Sequence, residues 1–562
     1  MSQTYEQLSV ERKKLQEKGL LPDWYSTLSW QMFKSKYAVE GELGVKGRFE
    51  TIAKTLAVHA PKDGRNWEEE FFNVLWKGWL SPASPVLSNT GTTRGLNVSC
   101  SGGYVGDSVD SFYTALREQA LLSKHGFGCS GVFSDIRPRG SFISGGGAAS
   151  GVVPVIEDFA TMTAKISQGG NRRGSTASYL DIEHGDFNEL CDKLLAEPDG
   201  LNIGWILTDS FIKKLEDGDK EANTRFSRAL YVKMVCGKGY FFKIDAANRA
   251  RPQMYKDLNL DIKASNLCSE IMLHSSEEYS FSCILSSMNL SKYDEWKDTD
   301  AIFVATVFLD CLCSDFIEKA KGIAGLEKVV AFTEKGRAIG LGVLGFATLL
   351  QKNRIPYESL DAQFLNDEIF SKLHDQSLEA SKYLAEKLGE PDWCKGYGVR
   401  NTHRTALAPT KSTSILMGGV SESVFPDPGM AFEQSSAAGG MKRVCGELYK
   451  IMVERGVYNK KTIDDIIANL GSVQHVEWLS ADEKWVFKTA FEIDQEVILR
   501  YASQRQKYIC QGQSLNFFFA EDEEKISKVH TKALLDPNIL SLYYVYSRSG
   551  VVVNNECLTC SA

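Results

Sequence analysis

Apolar positions recur with a helical period through the first 80 residues. In Phe49 to Ala60 and Trp67 to Leu80 the large apolar side chains fall three and four positions apart, on one helix face. From Ser81 onward the pattern changes. Short apolar or β-branched runs such as Gly131-Val132-Phe133 alternate with helical stretches. The latter are Ser111 to Lys124, Val155 to Ile166, Ala301 to Ala320, Gly336 to Gln351, Asp361 to Leu388 and Asp482 to Gln504. This alternation predicts an α/β architecture whose strand order periodicity leaves undetermined. Val551 to Ala562 carry no helical period and read as a mobile tail. No internal repeat or long low-complexity linker divides the chain.

Length and composition narrow the class. With 562 residues, 43% hydrophobic and 24% charged, the chain is an ordinary globular sequence of one very large domain or several smaller ones. Its net charge of −8 argues against broad attraction to nucleic acid. Met1 to Gly19 lack the apolar core of a signal peptide. The best membrane candidate, Ala301 to Cys313, is too short and carries Asp310, which predicts a buried helix instead. A soluble, cytoplasmic protein without nucleic-acid or membrane partners is expected. Thirteen cysteines, an odd number spread over a long chain, fit a reducing compartment better than a disulfide framework. Cys311 and Cys313 fall inside the apolar stretch Phe303 to Phe316 and read as core. Cys129, Cys191, Cys236, Cys394, Cys445 and Cys510 have no recognisable partner.

Five other cysteines stand in more telling surroundings. Cys268 lies in Asn266-Leu267-Cys268-Ser269-Glu270, a thiol two residues from an amide and two from a carboxylate. Cys100 follows Val98-Ser99, and Cys283 follows Phe281-Ser282. The chain closes with Asn555-Glu556-Cys557-Leu558-Thr559-Cys560, a C-x-x-C spacing suited to redox shuttling. Zinc is the rival for that pair, but no second pair at metal spacing is visible. A thiol beside a carboxylate, a separated pair and a terminal pair suggest thiol chemistry with its own recharging system. Two glycine-rich loops, Asp135 to Gly147 and Ser167 to Ser175, offer close backbone approach and arginine forks. Neither is a Walker or Rossmann fingerprint, and each also fits a plain surface loop. Pro409-Thr410-Lys411-Ser412-Thr413-Ser414 fits an anion site at a helix start or an ordinary N-cap.

Ser99-Cys100, Gln168-Gly169-Gly170, Asn266 to Ile271, Cys283, Pro409 to Ser414, Leu542-Tyr543-Tyr544 and the Cys557/Cys560 tail occur together in one order. Together they resemble the large, catalytic subunit of class I ribonucleotide reductase, over nearly the whole chain after about residue 20. The resemblance implies radical-based reduction of ribonucleotides, diphosphates by analogy, to 2′-deoxyribonucleotides. Cys268 would become a transient thiyl radical and remove the 3′ hydrogen. Glu270 would act as general base on the 3′ hydroxyl, and Asn266 would orient the ribose hydroxyls. Cys100 and Cys283 would supply reducing equivalents and end as a disulfide. Cys557 and Cys560 would restore them, recharged by thioredoxin or glutaredoxin. Tyr543 and Tyr544 would pass an oxidising equivalent to Cys268.

The same resemblance implies substrate binding by Ser81, Ser99 and the Pro409, Thr410, Lys411, Ser412, Thr413, Ser414 segment, the last at the diphosphate. Asp107 and Ser108 would hold the ribose of an allosteric nucleotide and Arg137 its phosphates. Gln168 and Arg172 would relay effector identity, with Arg173 a competitor for the latter role. Ser144 stands where the family commonly has a basic residue, so phosphate binding is altered there or uses Arg139. No histidine lies three positions after a glutamate, and no glycyl-radical motif is evident. The radical is therefore expected from a small, metal-containing partner subunit, with no metal or covalently bound cofactor on this chain. The effectors implied are nucleoside triphosphates (dATP/ATP, dTTP, dGTP) with Mg2+, and the assembly a homodimer.

The fold implied is a ten-stranded α/β barrel of two antiparallel five-stranded halves, with Cys268 on a loop inside. A helical domain over 1–80, the barrel over 81–540, and a radical-transfer segment and flexible redox tail over 541–562 are expected. The short N-terminal part implies a form without the ATP-cone module that switches overall activity in many relatives. Two rival readings share this barrel: a cobalamin-dependent reductase and a noncatalytic nucleotide-binding regulator.

Overall fold

The protein's structure, a computed structural model, describes residues 4–168, 172–436, 439–520 and 522–547. Helix Gly44–Ala57 buries Val45, Phe49, Ile52, Ala53 and Leu56, a stripe at helical spacing that faces the core. Arg48 shares that face, where Glu42 at 2.7 Å and the Leu87 carbonyl at 2.6 Å satisfy its guanidinium. Helix Trp67–Trp76 meets the long helix Ala301–Ala320, with Phe71 edge-on to Phe308 at 5.4 Å between ring centres. The helical N-terminal part thus buttresses the outside of a sheet.

That sheet closes on itself. Strands Cys100–Tyr104, Gly128–Val132, Ser175–Asp181, Ile203–Leu207 and Tyr240–Lys243 run parallel to one another, in that order. The other half consists of Phe281–Asn289, Ile339–Leu344, the segments 405–407 and 513–515, and Ser541–Leu542. Phe281–Asn289 pairs parallel with Ile339–Leu344 and antiparallel with Cys100–Tyr104. Leu341 then bridges Thr405, Leu407 bridges Gln513, and the Tyr543 amide donates to the Leu515 carbonyl at 2.8 Å. Ser541–Leu542 returns antiparallel to Tyr240–Lys243. Two five-stranded halves, antiparallel to each other, therefore form the expected ten-stranded ring. Leu80–Pro82 extends it by pairing with the far end of Phe281–Asn289.

Most expected helices form, Ala301–Ala320 with the expected ends, and Cys311 and Cys313 are fully buried in it. Two expectations fail. Gly336 to Gln351 is not one helix: Glu327–Gly336 ends there, Ile339–Leu344 is a ring strand, and Phe346–Lys352 is a separate helix. All six strand residues are buried, and a short wholly apolar run does not betray its period. Asp482 to Gln504 likewise splits into Ala481–Val486 and Gln495–Gln506, the second capped by the Asp494 side chain. Cys557 and Cys560 lie outside the described residues.

Candidate active site

The segment Ser265–Ile271 occupies the inside of the ring, held from several strands. Tyr179 donates its hydroxyl to the Asn266 carbonyl at 2.6 Å, and Ser130 donates to the Ser265 carbonyl at 2.9 Å. Ser541 donates to the Ser269 carbonyl at 2.6 Å, and the Gly512 amide to the Glu270 carbonyl at 2.8 Å. Within the loop, Asn266 Oδ1 accepts from the amides of Glu270 (3.0 Å) and Ile271 (3.2 Å). Ser269 takes the left-handed conformation, with φ of +67°, sharpening the turn between Cys268 and Glu270. Asn266, a short polar side chain folded back on its own backbone, closes the loop.

The two distant cysteines meet here. Cys100 and Cys283 are directly opposed in the antiparallel pair. Such neighbours have Cα atoms about 4.5–5.5 Å apart, within the span a disulfide needs. Both are buried, and burial pushes the Cys283 thiol well above the usual thiol range. Asn266 Nδ2 points at Cys100 Sγ at 3.4 Å, and Gln511 Nε2 at Cys283 Sγ at 3.6 Å. Glu270 is also buried, which raises its carboxyl to about 7 despite hydrogen bonds from Asn266 and from Ser514 at 3.1 Å. A carboxyl poised there can take or return a proton near neutral pH.

A tyrosine stack leads outward from the loop. The Tyr543 hydroxyl lies 3.4 Å from Cys268 Sγ. Tyr543 and Tyr544 rings are 4.1 Å apart between centres, and Tyr240 packs on both, at 4.8 and 5.6 Å. From Tyr544 the series continues to Tyr546 at 5.9 Å, which stacks on Phe518 at 4.9 Å. Tyr543 is buried, whereas Tyr544 and Tyr546 are partly exposed.

Ser81 and Ser99 are buried, and their hydroxyls meet no hydrogen-bonding partner among the described residues. Thr410 is no ordinary N-cap. It is left-handed at φ +58°, and its hydroxyl accepts from the Ser423 amide instead of capping helix Lys411–Leu416. The hydroxyls of Thr413 and Ser414 bond back to the carbonyls of Thr410 and Lys411. Away from the cysteines, Arg137 Nε pairs with Asp107 at 2.6 Å, while Ser108 caps helix Val109–Lys124. Arg139 forks onto Glu189 at 2.7 and 2.6 Å. The backbones of Gln168 and Arg172 pair in a two-residue antiparallel ladder. Among the described residues no group of three or more His, Cys, Asp and Glu could hold a metal ion.

Sequence reasoning missed Tyr179, Tyr240, Gln511, Ser514 and Ser541. None sits in a motif. The one available signal was polarity inside a buried run, as at Gln511 to Ser514, because such groups must find partners.

Comparison with known proteins agrees with this fold. The family model for the ribonucleotide reductase barrel domain matches residues 98–228, 213–396 and 390–536, and that for its all-alpha domain matches 23–95. The ribonucleoside-diphosphate reductase large subunit of Invertebrate iridescent virus 3 is 30% identical, across 94% of this chain and 95% of its own. A vitamin B12-dependent ribonucleoside-diphosphate reductase of Thermoplasma acidophilum is also 30% identical, across 87% of this chain but 66% of its own. The alpha subunit of the Actinobacillus ureae class Id ribonucleotide reductase superposes with a TM-score of 0.86 at 38% identity, covering 94% of this chain and 98% of that one. With both family models matched along the chain and its fold shared with that alpha subunit, the chain belongs to the ribonucleotide reductase family as a large subunit.

Proposed function

We propose that Cys268 carries the radical step of this reductase and that Tyr544 and Tyr543 deliver the oxidising equivalent to it. The contact between Tyr543 and Cys268 is the observation that carries this reading. A hydrogen atom passes from Tyr543 to the Tyr544 radical, then from Cys268 to the Tyr543 radical. The Cys268 thiyl removes the 3′ hydrogen of the ribonucleotide while Glu270 takes the 3′ hydroxyl proton. The 2′ hydroxyl leaves as water with a proton from the Cys100/Cys283 pair. That dithiol supplies two electrons, places its second hydrogen on C2′ and becomes a disulfide. Glu270 returns its proton to the 3′ oxygen, and Cys268 returns hydrogen to C3′, regaining its radical. The buried, protonated Cys283 suits a hydrogen donor better than a nucleophile.

Unpartnered hydroxyls on Ser81 and Ser99 support a substrate site inside the ring. Pro409 to Ser414 holds the diphosphate. Asp107, Ser108, Arg137, Gln168 and Arg172 form the effector site, which takes nucleoside triphosphates with Mg2+ in a homodimer. A small metal-containing subunit supplies the radical, and thioredoxin or glutaredoxin recharges the tail.

Reconstitution decides the matter. The full chain with small subunit, ribonucleoside diphosphate, effector and reductant is expected to form deoxynucleotide. The chain with adenosylcobalamin alone is expected to form none. Cys268→Ser should bind nucleotide and give no product, because a serine O–H is too strong for reversible hydrogen exchange. Product from clean Cys268→Ser protein would sink the assignment.

A further inference from the structure

A buried lysine stands behind the tyrosine pair. Lys233 lies on the inward face of helix Lys220–Cys236 and has no solvent exposure. Its amine donates to two backbone carbonyls, those of Tyr543 and of Gly239, the latter at 3.1 Å. Gly239 precedes Tyr240, whose ring touches both Tyr543 and Tyr544. One side chain therefore ties together the two backbone segments that carry all three tyrosines. Nζ also lies 5.8 Å from the ring centre of Tyr240 and 5.5 Å from that of Phe241.

Packing alone does not account for a lysine here. Among the described residues no carboxylate pairs with it, and burial pulls its pKa down to about 7. His530, facing it from helix Glu523–Leu535, donates from Nδ1 to the Ile526 carbonyl and is held neutral by burial and by Lys233 itself. An apolar side chain would fill this place without the cost of desolvating an amine. What it would lack is a donor for the Tyr543 carbonyl.

We propose that Lys233 is a positioning residue for radical transfer: its N–H groups hold the Tyr543 backbone so that the hydroxyl stays on Cys268 and the ring stays against Tyr544. The proposal rests on the reading of Tyr543 and Tyr544 as the relay. Transfer between fixed groups is sensitive to small displacements, with about a hundredfold lost for a misplacement near 1 Å. The donor, not the charge, is the working feature.

Two variants of the full chain separate these roles in the assay with the small subunit. Lys233→Met removes donor and charge, whereas Lys233→Gln keeps a donor without charge. Met is expected to lower kcat by about tenfold or more, with KM and effector affinity within about twofold of wild type. Gln is expected to restore kcat to within about threefold. A merely structural role would move substrate affinity with kcat and would not be rescued in kcat alone. Wild-type kcat in the Met variant, or equal impairment of Met and Gln, would overturn the proposal. If the Met protein does not fold, Gln decides: kcat near wild type supports the donor, and a tenfold loss at unchanged KM overturns it. Wild-type chain in the same mixture is the control for the relay itself. Its inactivity would remove the relay, whereas active wild type beside equally active Met removes only Lys233.

Discussion

Glu270 shows how far burial moves a single side chain. Its carboxyl is raised to about 7 in the folded protein, while in the unfolded chain it titrates at the ordinary carboxylate value. Between those values the folded state holds a proton that the unfolded state has released. The stability this provides is fully present below the unfolded pKa and is lost as pH rises through about 7. Glu270→Gln cannot titrate. Relative to wild type it should gain stability from about pH 5 to about pH 8, by up to an order of 3 kcal/mol. Denaturant unfolding of both proteins across that range checks this, and parallel curves would contradict it. In the proposed role of general base Glu270 would act deprotonated, so wild-type kcat/KM should rise with pH through about 7. The Gln variant should lose about 10²–10⁴-fold in turnover and show no such rise.

The strand Ile339–Leu344 is the element on which ring closure turns. It pairs with Phe281–Asn289 on one side and with the segment 405–407 on the other. Gly342 sits where a Cβ would lie 2.4 Å from the Ala406 carbonyl oxygen, a backbone atom that cannot swing aside. Gly342→Ala should therefore force the two segments apart and cost about 1–3 kcal/mol. A matching drop in the denaturant midpoint is expected, with the helical N-terminal part less affected. Unchanged stability would show that the closing contact has slack the geometry does not reveal.

At the scale of the whole molecule, the ring that encloses Cys268 also isolates the opposed pair Cys100 and Cys283. Cys283 is fully buried and Cys100 nearly so, beyond the reach of a folded reductant. A Cys557→Ser/Cys560→Ser protein should thus complete a first reduction, since the inner pair starts as thiols. Continued turnover driven by thioredoxin should then stop. Dithiothreitol, small enough to enter, should restore part of the activity. Product per chain in single-turnover and multiple-turnover assays separates the cases. A missing first turnover would assign the tail cysteines to catalysis or folding, and unaffected thioredoxin-driven turnover would make them dispensable.

Much of the local structure was legible in the sequence. Apolar spacing marked the helices Trp67–Trp76 and Ala301–Ala320, because amphipathic periodicity is a property of neighbours along the chain. The motif Asn266 to Glu270 placed three functional groups on one tight loop for the same reason. The strand Ile339–Leu344 was misread because a run buried on both faces has no polar positions to reveal its period. Only the tertiary structure brought Cys283 opposite Cys100, Tyr543 against Cys268, and Lys233 beneath Tyr543. Those meetings depend on register and ring closure, which are set by backbone hydrogen bonds between segments far apart in the chain. Local side-chain pattern carries the element; only the closed ring decides which elements become neighbours.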